Sequence, residues 1–166
     1  MMERFNPEIH IRNELIDVLK KNKMTLSAAE SCTGGLIGKL MTDCPGSSDY
    51  FKGSAVTYSN EAKENILGIS HDLLAKNTAV SASVSKLMAE ASRVMYKSDI
   101  AVSTTGYAGP GKGDRGELPG IVYIAVSGKN GTQVFENHFM GDRTAIRYTA
   151  AEKALYYALN YIKALS

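Results

Sequence analysis

The segment most suited to chemistry is 28–35, which contains Ser31 and ends on two glycines. The residues at 24–27 predict a short strand before it, and those at 36–41 predict a helix after it. A serine at such a turn has an exposed hydroxyl beside the unpaired N–H groups and the positive dipole end of the helix. The pattern indicates an activated nucleophile with an oxyanion site, or a cradle for phosphate. A plain helix N-cap uses the same residue types and is the simpler interpretation.

A serine nucleophile needs a base, because its hydroxyl is weakly reactive on its own. None of the histidines follows a strand beside a glycine turn, which disfavours a Ser-His-Asp triad; they are His10, His71 and His138. Lys63 can replace histidine if burial lowers its pKa from about 10.4 towards neutral. It lies on a predicted short helix after a strand, and Tyr58 at the end of that strand could hold either group by its hydroxyl. A solvated surface lysine is the alternative.

A second candidate is the glycine-rich loop at 106–113. Its first seven residues, from Gly106 to Lys112, match the start of a phosphate-binding P-loop, but Gly113 stands where Ser or Thr would bind magnesium. Residues 114–120 cannot form the helix that a P-loop requires, so an NTPase is disfavoured. A third candidate is Arg143, in the first turn of a predicted helix, where it could meet a phosphate or be a solvated arginine.

Composition limits the classes of protein to consider. The chain has 166 residues, which fits one domain spanning 1–166, and its net charge of +2 without a basic run gives no sign of nucleic-acid binding. It has no long apolar run and no apolar N-terminal signal, so we expect a cytoplasmic protein without a membrane partner. We expect Cys32 and Cys44 to be reduced, and no Cys or His pair has the spacing of metal ligands.

The remaining sequence alternates helix and strand patterns in the order α-β-α-β-α-α-β-β-β-α. A helix is predicted from an N-cap at Asn6, with Pro7 in its first turn. Strands are predicted at 51–58, 100–105, 121–126 and 132–140, and helices at 60–67, from 80 onward, and at 142–164. This order predicts a mixed sheet with helices on both faces.

Five segments together resemble the CinA C-terminal-domain family. They are AESCTGG at 29–35, PGSSDYF at 45–51, VTYSNEAK at 56–63, TG and AGP within 105–110, and GDR at 141–143. They occur in the family's order and spacing over nearly the whole chain. The resemblance implies a three-layer α/β/α sandwich with a mixed, mostly parallel sheet. The family includes amidohydrolases that deamidate nicotinamide mononucleotide (NMN) with a Ser/Lys pair.

The resemblance implies roles for particular residues. Ser31 maps to the nucleophile, Lys63 to its base, and Tyr58 beside them. The N–H groups near Thr33 and Gly34, or near Thr105 and Gly106, would stabilise the oxyanion. The other implied substrate-binding residues are Gly35, Ser47, Ser48, Gly109 and Arg143. Arg143 is expected at the phosphate, with Ser47, Ser48 or the Gly34–Gly35 turn as the alternative.

The implied enzyme needs no metal or organic cofactor, and we expect a homo-oligomer, most simply a dimer. The chain departs from the family at Tyr107 and at 112–115 and 118–120, in the loop expected to border the pocket. Two other hypotheses stay open. One is a non-catalytic regulatory or partner-binding domain of the same fold, and the other is a nucleotide-phosphate binding protein that uses the 106–113 loop.

Overall fold

The computed structural model describes residues 7–165, with side chains from residue 10 onward. The predicted N-cap at Asn6 lies outside the described residues. The helices are α1 (Pro7–Asn22), α2 (Leu36–Thr42), α3 (Asn60–Leu67), α4 (His71–Asn77), α5 (Ala82–Tyr96) and α6 (Arg143–Lys163). The strands are β1 (Leu26–Glu30), β2 (Phe51–Val56), β3 (Ile100–Gly106), β4 (Ile121–Gly128) and β5 (Gly131–His138). A short 3₁₀ turn, Ser47–Asp49, precedes β2.

The strands form one sheet in the order β2-β1-β3-β4-β5. β1 pairs in parallel with both β2 and β3, whereas β4 pairs antiparallel with β3 and β5. The predicted mixed sheet is confirmed, although parallel pairings are half of the total rather than most of it. The tight turn between β4 and β5 makes that pair antiparallel, because a short hairpin can join only antiparallel strands.

Helices cover both faces of the sheet. One apolar cluster joins α1, α2 and α6 to one face, and a smaller one joins α3, α4 and α5 to the other. The predicted three-layer α/β/α sandwich is therefore confirmed. None of the helices within residues 7–165 is long and apolar enough to cross a membrane.

Two elements differ from the sequence prediction. β1 runs to Glu30, three residues beyond the strand predicted at 24–27, two of which are alanines, and all five of its side chains are buried. Alanine and glutamate disfavour strands, but β1 is hydrogen-bonded on both edges, and burial outweighs that weak preference. Helix α4 was not predicted. It has only seven residues, and Ser70 caps it by accepting from the Leu73 N–H.

The position of β1 creates the site. The chain leaves β1 through α2 to reach β2 on one side, then returns through α3, α4 and α5 to β3 on the other side. The strand order therefore reverses between β1 and β3. Ligands bind in the crevice that such a reversal opens at the carboxyl ends of the strands. Ser31 directly follows β1, and Gly106 ends β3 at the same edge.

Candidate active site

Ser31 begins a tight turn at the end of β1. Its N–H donates to the Thr104 carbonyl at 2.9 Å, which continues the pairing with β3 by one residue. The Gly34 N–H then donates to the Ser31 carbonyl at 3.1 Å, and Gly34 has a φ of 59° that favours glycine. The side chain of Ser31 is only 8% exposed and lines a pocket.

Lys63 reaches Ser31 from the first half of α3, a helix that Ser59 caps by accepting from the Ala62 N–H. Its Nζ lies 3.0 Å from Ser31 Oγ and 2.8 Å from the Thr57 carbonyl oxygen. The side chain is 1% exposed, and both contacts are neutral oxygens rather than carboxylates. Burial disfavours the charged ammonium and lowers the pKa of Lys63 to about 8. The structure thus brings together the two residues predicted to form the dyad.

Tyr58 lies in the same pocket, but its hydrogen bond differs from the one expected. Its hydroxyl accepts from Arg143 Nη2 at 2.8 Å, and the side chain is 59% exposed. The backbone carbonyl of Thr57, rather than the Tyr58 hydroxyl, holds the Lys63 ammonium nitrogen. The expectation that Tyr58 fixes Ser31 or Lys63 by a hydrogen bond is therefore corrected: Tyr58 orients Arg143.

Arg143 joins two sides of the pocket. Besides its bond to Tyr58, its Nη1 donates to the Gly109 carbonyl at 2.7 Å. Asp142 caps α6 directly before it by accepting from the Ala145 N–H at 2.8 Å. A guanidinium carries five N–H donors, so these two bonds leave donors for a ligand. The pocket has a volume of about 390 Å³, within the range of small-molecule sites.

The end of β3 forms the opposite wall. Thr105, Gly106 and Gly109, which the family resemblance implies as substrate-binding residues, all line the pocket. The Thr105 hydroxyl donates to the Ala79 carbonyl at 2.7 Å, so it fixes the wall. A Cβ on Gly106 would lie 2.5 Å from the Ile121 carbonyl oxygen, which explains why only glycine fits there.

Glu30 lies directly before Ser31 and was not predicted to be part of the site. It is completely buried, and its carboxylate accepts five hydrogen bonds. The donors are the hydroxyls of Thr33 and Ser54 and the N–H groups of Gly35, Ile37 and Gly38. It thereby occupies the positive N-terminal end of α2, where an anion is favoured. An acidic residue between a buried strand and a glycine turn was the signal that could have revealed it.

Arg147 is the second missed residue. It projects from α6 and donates from Nε to the Cys32 carbonyl and from Nη2 to the Thr33 carbonyl, both at 3.0 Å. A Cβ on Gly34 would lie 2.9 Å from Arg147 Nη2, so this glycine makes room for the guanidinium. Nothing local marks Arg147, because it is more than 110 residues from its partners.

Several residues that were predicted to bind substrate do not line the pocket. The Thr33 hydroxyl is buried against Glu30 and Thr104, and the N–H groups of Gly34 and Gly35 are already used inside the turn. Their direct contact with substrate is therefore not supported. Ser47 and Ser48 line a different groove beside Gly35, because the 3₁₀ turn precedes β2 at the opposite end from the carboxyl edge.

Cys32, the neighbour of Ser31, also lines the pocket. Burial raises the pKa of its thiol to about 12. The thiolate is the reactive form of cysteine, so Cys32 stays unreactive over the physiological range of pH. This leaves Ser31 as the nucleophile candidate of the turn.

The sequence profile of the CinA C-terminal domain matches residues 8–162. The chain belongs to the CinA C-terminal domain family. It is 46% identical to a CinA-like protein of Geobacter sulfurreducens over 138 residues, 83% of this chain and 33% of that protein. It is 41% identical to a CinA-like protein of Leptospira interrogans over 159 residues, 95% of this chain and 38% of that protein. The chain thus spans between a third and two fifths of the length of these relatives.

Two solved structures of the family match this CinA domain closely. Competence damage-inducible protein A of Klebsiella pneumoniae superposes with a TM-score of 0.93 and 28% identity, covering 97% of this chain and 100% of that one. The competence/damage inducible protein CihA of Agrobacterium tumefaciens superposes with a TM-score of 0.87 and 34% identity, covering 96% and 99%. Both confirm the fold of this CinA domain.

The structure also bears on the P-loop match in this CinA domain. After Gly106 the chain passes through bends and turns at 107–120 into β4, without a helix. A P-loop presents its phosphate-binding amides at the start of a helix, and this loop has none. Within residues 7–165, no group of three or more His, Cys, Asp or Glu side chains is placed to hold a metal ion.

Proposed function

We propose that this CinA domain is a serine amidohydrolase that converts NMN into nicotinic acid mononucleotide and ammonia. The observation that carries the proposal is the buried contact of 3.0 Å between Lys63 Nζ and Ser31 Oγ in a pocket. A lysine base needs a lowered pKa and a hydroxyl within reach, and Lys63 meets both conditions. The names of the relatives say only that they are CinA-like or competence/damage-inducible proteins.

The first half of the reaction forms an acyl-enzyme. Ser31 Oγ attacks the carboxamide carbon of NMN while neutral Lys63 takes the hydroxyl proton. The carbonyl oxygen becomes an oxyanion that backbone N–H groups stabilise. When the tetrahedral intermediate collapses, the C–N bond breaks, and Lys63 gives its proton to the nitrogen, which leaves as ammonia. Ser31 then carries the nicotinoyl group as an ester.

The second half restores the enzyme. A water molecule takes the place of ammonia and gives one proton to Lys63 as its oxygen attacks the ester carbon. Collapse of this intermediate breaks the bond to Ser31 Oγ, which recovers its proton from Lys63. The products are the nicotinic acid mononucleotide and an unchanged dyad. All proton transfers use groups of this chain and water.

Two features of the pocket support a nucleotide substrate. Arg143 supplies a cation with unused donors, suited to a phosphate. Tyr58 and Tyr107 place aromatic rings in the walls, and the pyridinium ring of NMN is a cation of the kind that aromatic faces attract. The pocket is large enough to enclose most of a mononucleotide.

The test is release of ammonia from NMN by the purified protein in the presence of EDTA, with Ser31→Ala as the matched control. We expect steady release by the wild type and none above background by the variant. Absence of release from folded wild-type protein would instead favour a non-catalytic domain. A rate that disappears with EDTA and returns with a divalent metal would contradict the Ser/Lys mechanism.

A further inference from the structure

The turn from Ser31 to Gly34 has two chemically different sides. On one side the carbonyl oxygens of Cys32 and Thr33 accept from Arg147. On the other side are the N–H groups of the same two residues. The Cys32 N–H has its own thiol sulfur as a hydrogen-bond partner, and no oxygen atom in the part of the chain that the structure describes accepts from it or from the Thr33 N–H. The carbonyl side of the turn is therefore held by Arg147, whereas the Cys32 N–H, in the wall of the pocket, has no oxygen partner.

The planar peptide bond connects the two sides. In a trans peptide the N–H of one residue points opposite to the carbonyl of the residue before it. Holding the Thr33 carbonyl towards α6 therefore directs the Gly34 N–H away from α6, to the Ser31 carbonyl that it bonds, and the Cys32 N–H points opposite to that carbonyl. In a turn closed from residue 31 to residue 34, the intervening N–H groups point to one side together and form a site for an anion. Cys32, which carries one of them, lines the pocket with Ser31.

The other N–H groups nearby are already used. Those of Gly35, Ile37 and Gly38 donate to the Glu30 carboxylate, and that of Gly34 donates to the Ser31 carbonyl. The start of α2, the first place to look for an oxyanion donor, is therefore filled by a side chain of the protein. This leaves the Cys32 amide as the donor that lines the pocket beside the nucleophile.

Gly106 completes the arrangement from the facing wall. The Tyr107 N–H donates to the Ile121 carbonyl in the β3–β4 ladder. Amide directions alternate along an antiparallel strand, so the Gly106 N–H faces β1 instead of β4. It lies where β1 has ended and the serine turn has begun. Donors from two elements can thus converge on one oxygen.

We propose that Arg147 is a positioning residue that sets the oxyanion site. By holding the Cys32 and Thr33 carbonyls, it fixes the turn that directs the Cys32 N–H at the oxygen of the reacting carbonyl. The inference rests on the proposed amidohydrolase function, which requires such an oxyanion. Arg147 does not line the pocket, so it acts through the backbone of the turn without touching substrate.

The test compares Arg147→Lys with Arg93→Lys. Lysine keeps the charge at either position but loses the fork that lets Arg147 bind two carbonyls at once. Arg93 is a matched control, because its Nε donates to one backbone carbonyl, that of Asp99 at 3.1 Å, and it does not line the pocket. Circular dichroism and thermal unfolding establish that each variant is folded.

Two rates are measured for each folded variant: turnover of NMN, and covalent labelling of Ser31 by a fluorophosphonate. The second needs an oxyanion site but no particular substrate. Since removal of one oxyanion donor costs about 100-fold in kcat or more, we expect Arg147→Lys to lose at least about tenfold in kcat and in labelling rate, with little change in KM. Arg93→Lys should retain both rates.

The outcomes separate the inference from the function on which it rests. Wild-type labelling that is unchanged in Arg147→Lys would overturn the role of Arg147 alone. A wild type that is labelled but leaves NMN intact would overturn the substrate, while the loss of labelling in Arg147→Lys would still support the inference. A wild type that shows neither reaction would overturn both. A rise in KM at constant kcat would assign Arg147 to substrate binding and also overturn the inference.

Discussion

The two walls of the pocket are built differently. The serine turn after β1 is held by two charged side chains: the buried Glu30 accepts from the N–H of Gly35, directly after the turn, and the half-buried Arg147 donates to the carbonyls of Cys32 and Thr33. The loop at 107–120 after β3 is held mainly by its own hydrogen bonds. Among these, the Gly113 N–H donates to Glu117 and the Gly120 N–H donates to Tyr107. Most of its side chains from 110 to 118 are exposed.

This difference between the two walls indicates which wall serves catalysis and which serves the choice of substrate. A buried, fully satisfied polar network is costly to alter, because each lost partner leaves a desolvated group behind. An exposed loop tolerates substitution. The positions at which we expect the chain to depart from the family pattern, Tyr107, 112–115 and 118–120, all fall in the loop. We therefore expect the chemistry to depend on the turn and the choice of substrate to depend on the loop.

The largest effect should come from removing the dyad. Ser31→Ala and Lys63→Ala should each lower kcat for NMN by at least about 1000-fold, and the double variant should be hardly slower, because the two residues act as a unit. Cys32→Ala is the control and should cost far less, since the pKa of its thiol is raised to about 12 by burial. Near-normal turnover in Lys63→Ala would show that another group is the base.

The second largest effect should be a loss of stability when Glu30, which holds the start of α2 next to the serine turn, is replaced. Glu30→Gln replaces an acceptor of five hydrogen bonds by an amide that brings two more donors to the same place. We expect a loss of about 3 kcal/mol or more in the free energy of unfolding, measured in urea. The exposed Glu136→Gln on β5 is the control and should lower the free energy of unfolding much less. Equal stabilities for the two variants would contradict the role given to Glu30.

Arg143 tests recognition of the phosphate. Arg143→Ala should lower kcat/KM for NMN by a factor that corresponds to about 2 kcal/mol, the scale of truncating one partner of a charge pair. The loss of kcat/KM for nicotinamide riboside should be smaller, because this substrate lacks the phosphate. Arg115→Ala, in the exposed loop, is the control. Equal losses with both substrates would assign Arg143 to structure through Tyr58 and Gly109. Lys112 would then be the candidate cation, since Ser47 and Ser48 lie elsewhere.

The pH dependence should follow Lys63. Burial lowers its pKa to about 8, and only the neutral amine can accept a proton, so activity rises with pH and levels off above about 8. Between pH 7 and the plateau we expect about a tenfold increase. Lys63→Arg should be inactive at every pH, because arginine stays protonated. A rate that is constant from pH 6 to 9 would argue against lysine as the base.

The smallest effect should come from the loop. Lys112 lines the pocket but is exposed. Lys112→Ala should therefore raise KM for NMN by a factor that corresponds to less than about 1 kcal/mol of binding free energy, and it should leave kcat unaltered. Steady-state kinetics would measure both constants. A large fall in kcat would show that this wall contributes to the chemistry, and the contrast between turn and loop would be lost.

Much of the fold could be predicted because its signals are local. Ser59, Ser81 and Asp142 cap α3, α5 and α6 as side chains that accept from the next turn. Gly68 ends α3 in the left-handed conformation. The short helix α4 and the true length of β1 were not predicted. The first is too short for a clear pattern, and the second depends on pairing with two neighbouring strands.

The sequence by itself determined the turn at Ser31 and, through the family resemblance, the identity of its partner Lys63. Only the tertiary structure decided how that turn is held. Glu30 faces the start of α2, and Arg147 comes from the last helix, because the sheet order places β1 between β2 and β3 and α6 packs on the neighbouring strands β3 and β4 and against α2. The tertiary structure also places Ser47 and Ser48 outside the pocket, and it pairs the Tyr58 hydroxyl with Arg143 by a hydrogen bond. Caps and turns form between residues a few positions apart, whereas these contacts join distant segments and exist only once the sheet has assembled.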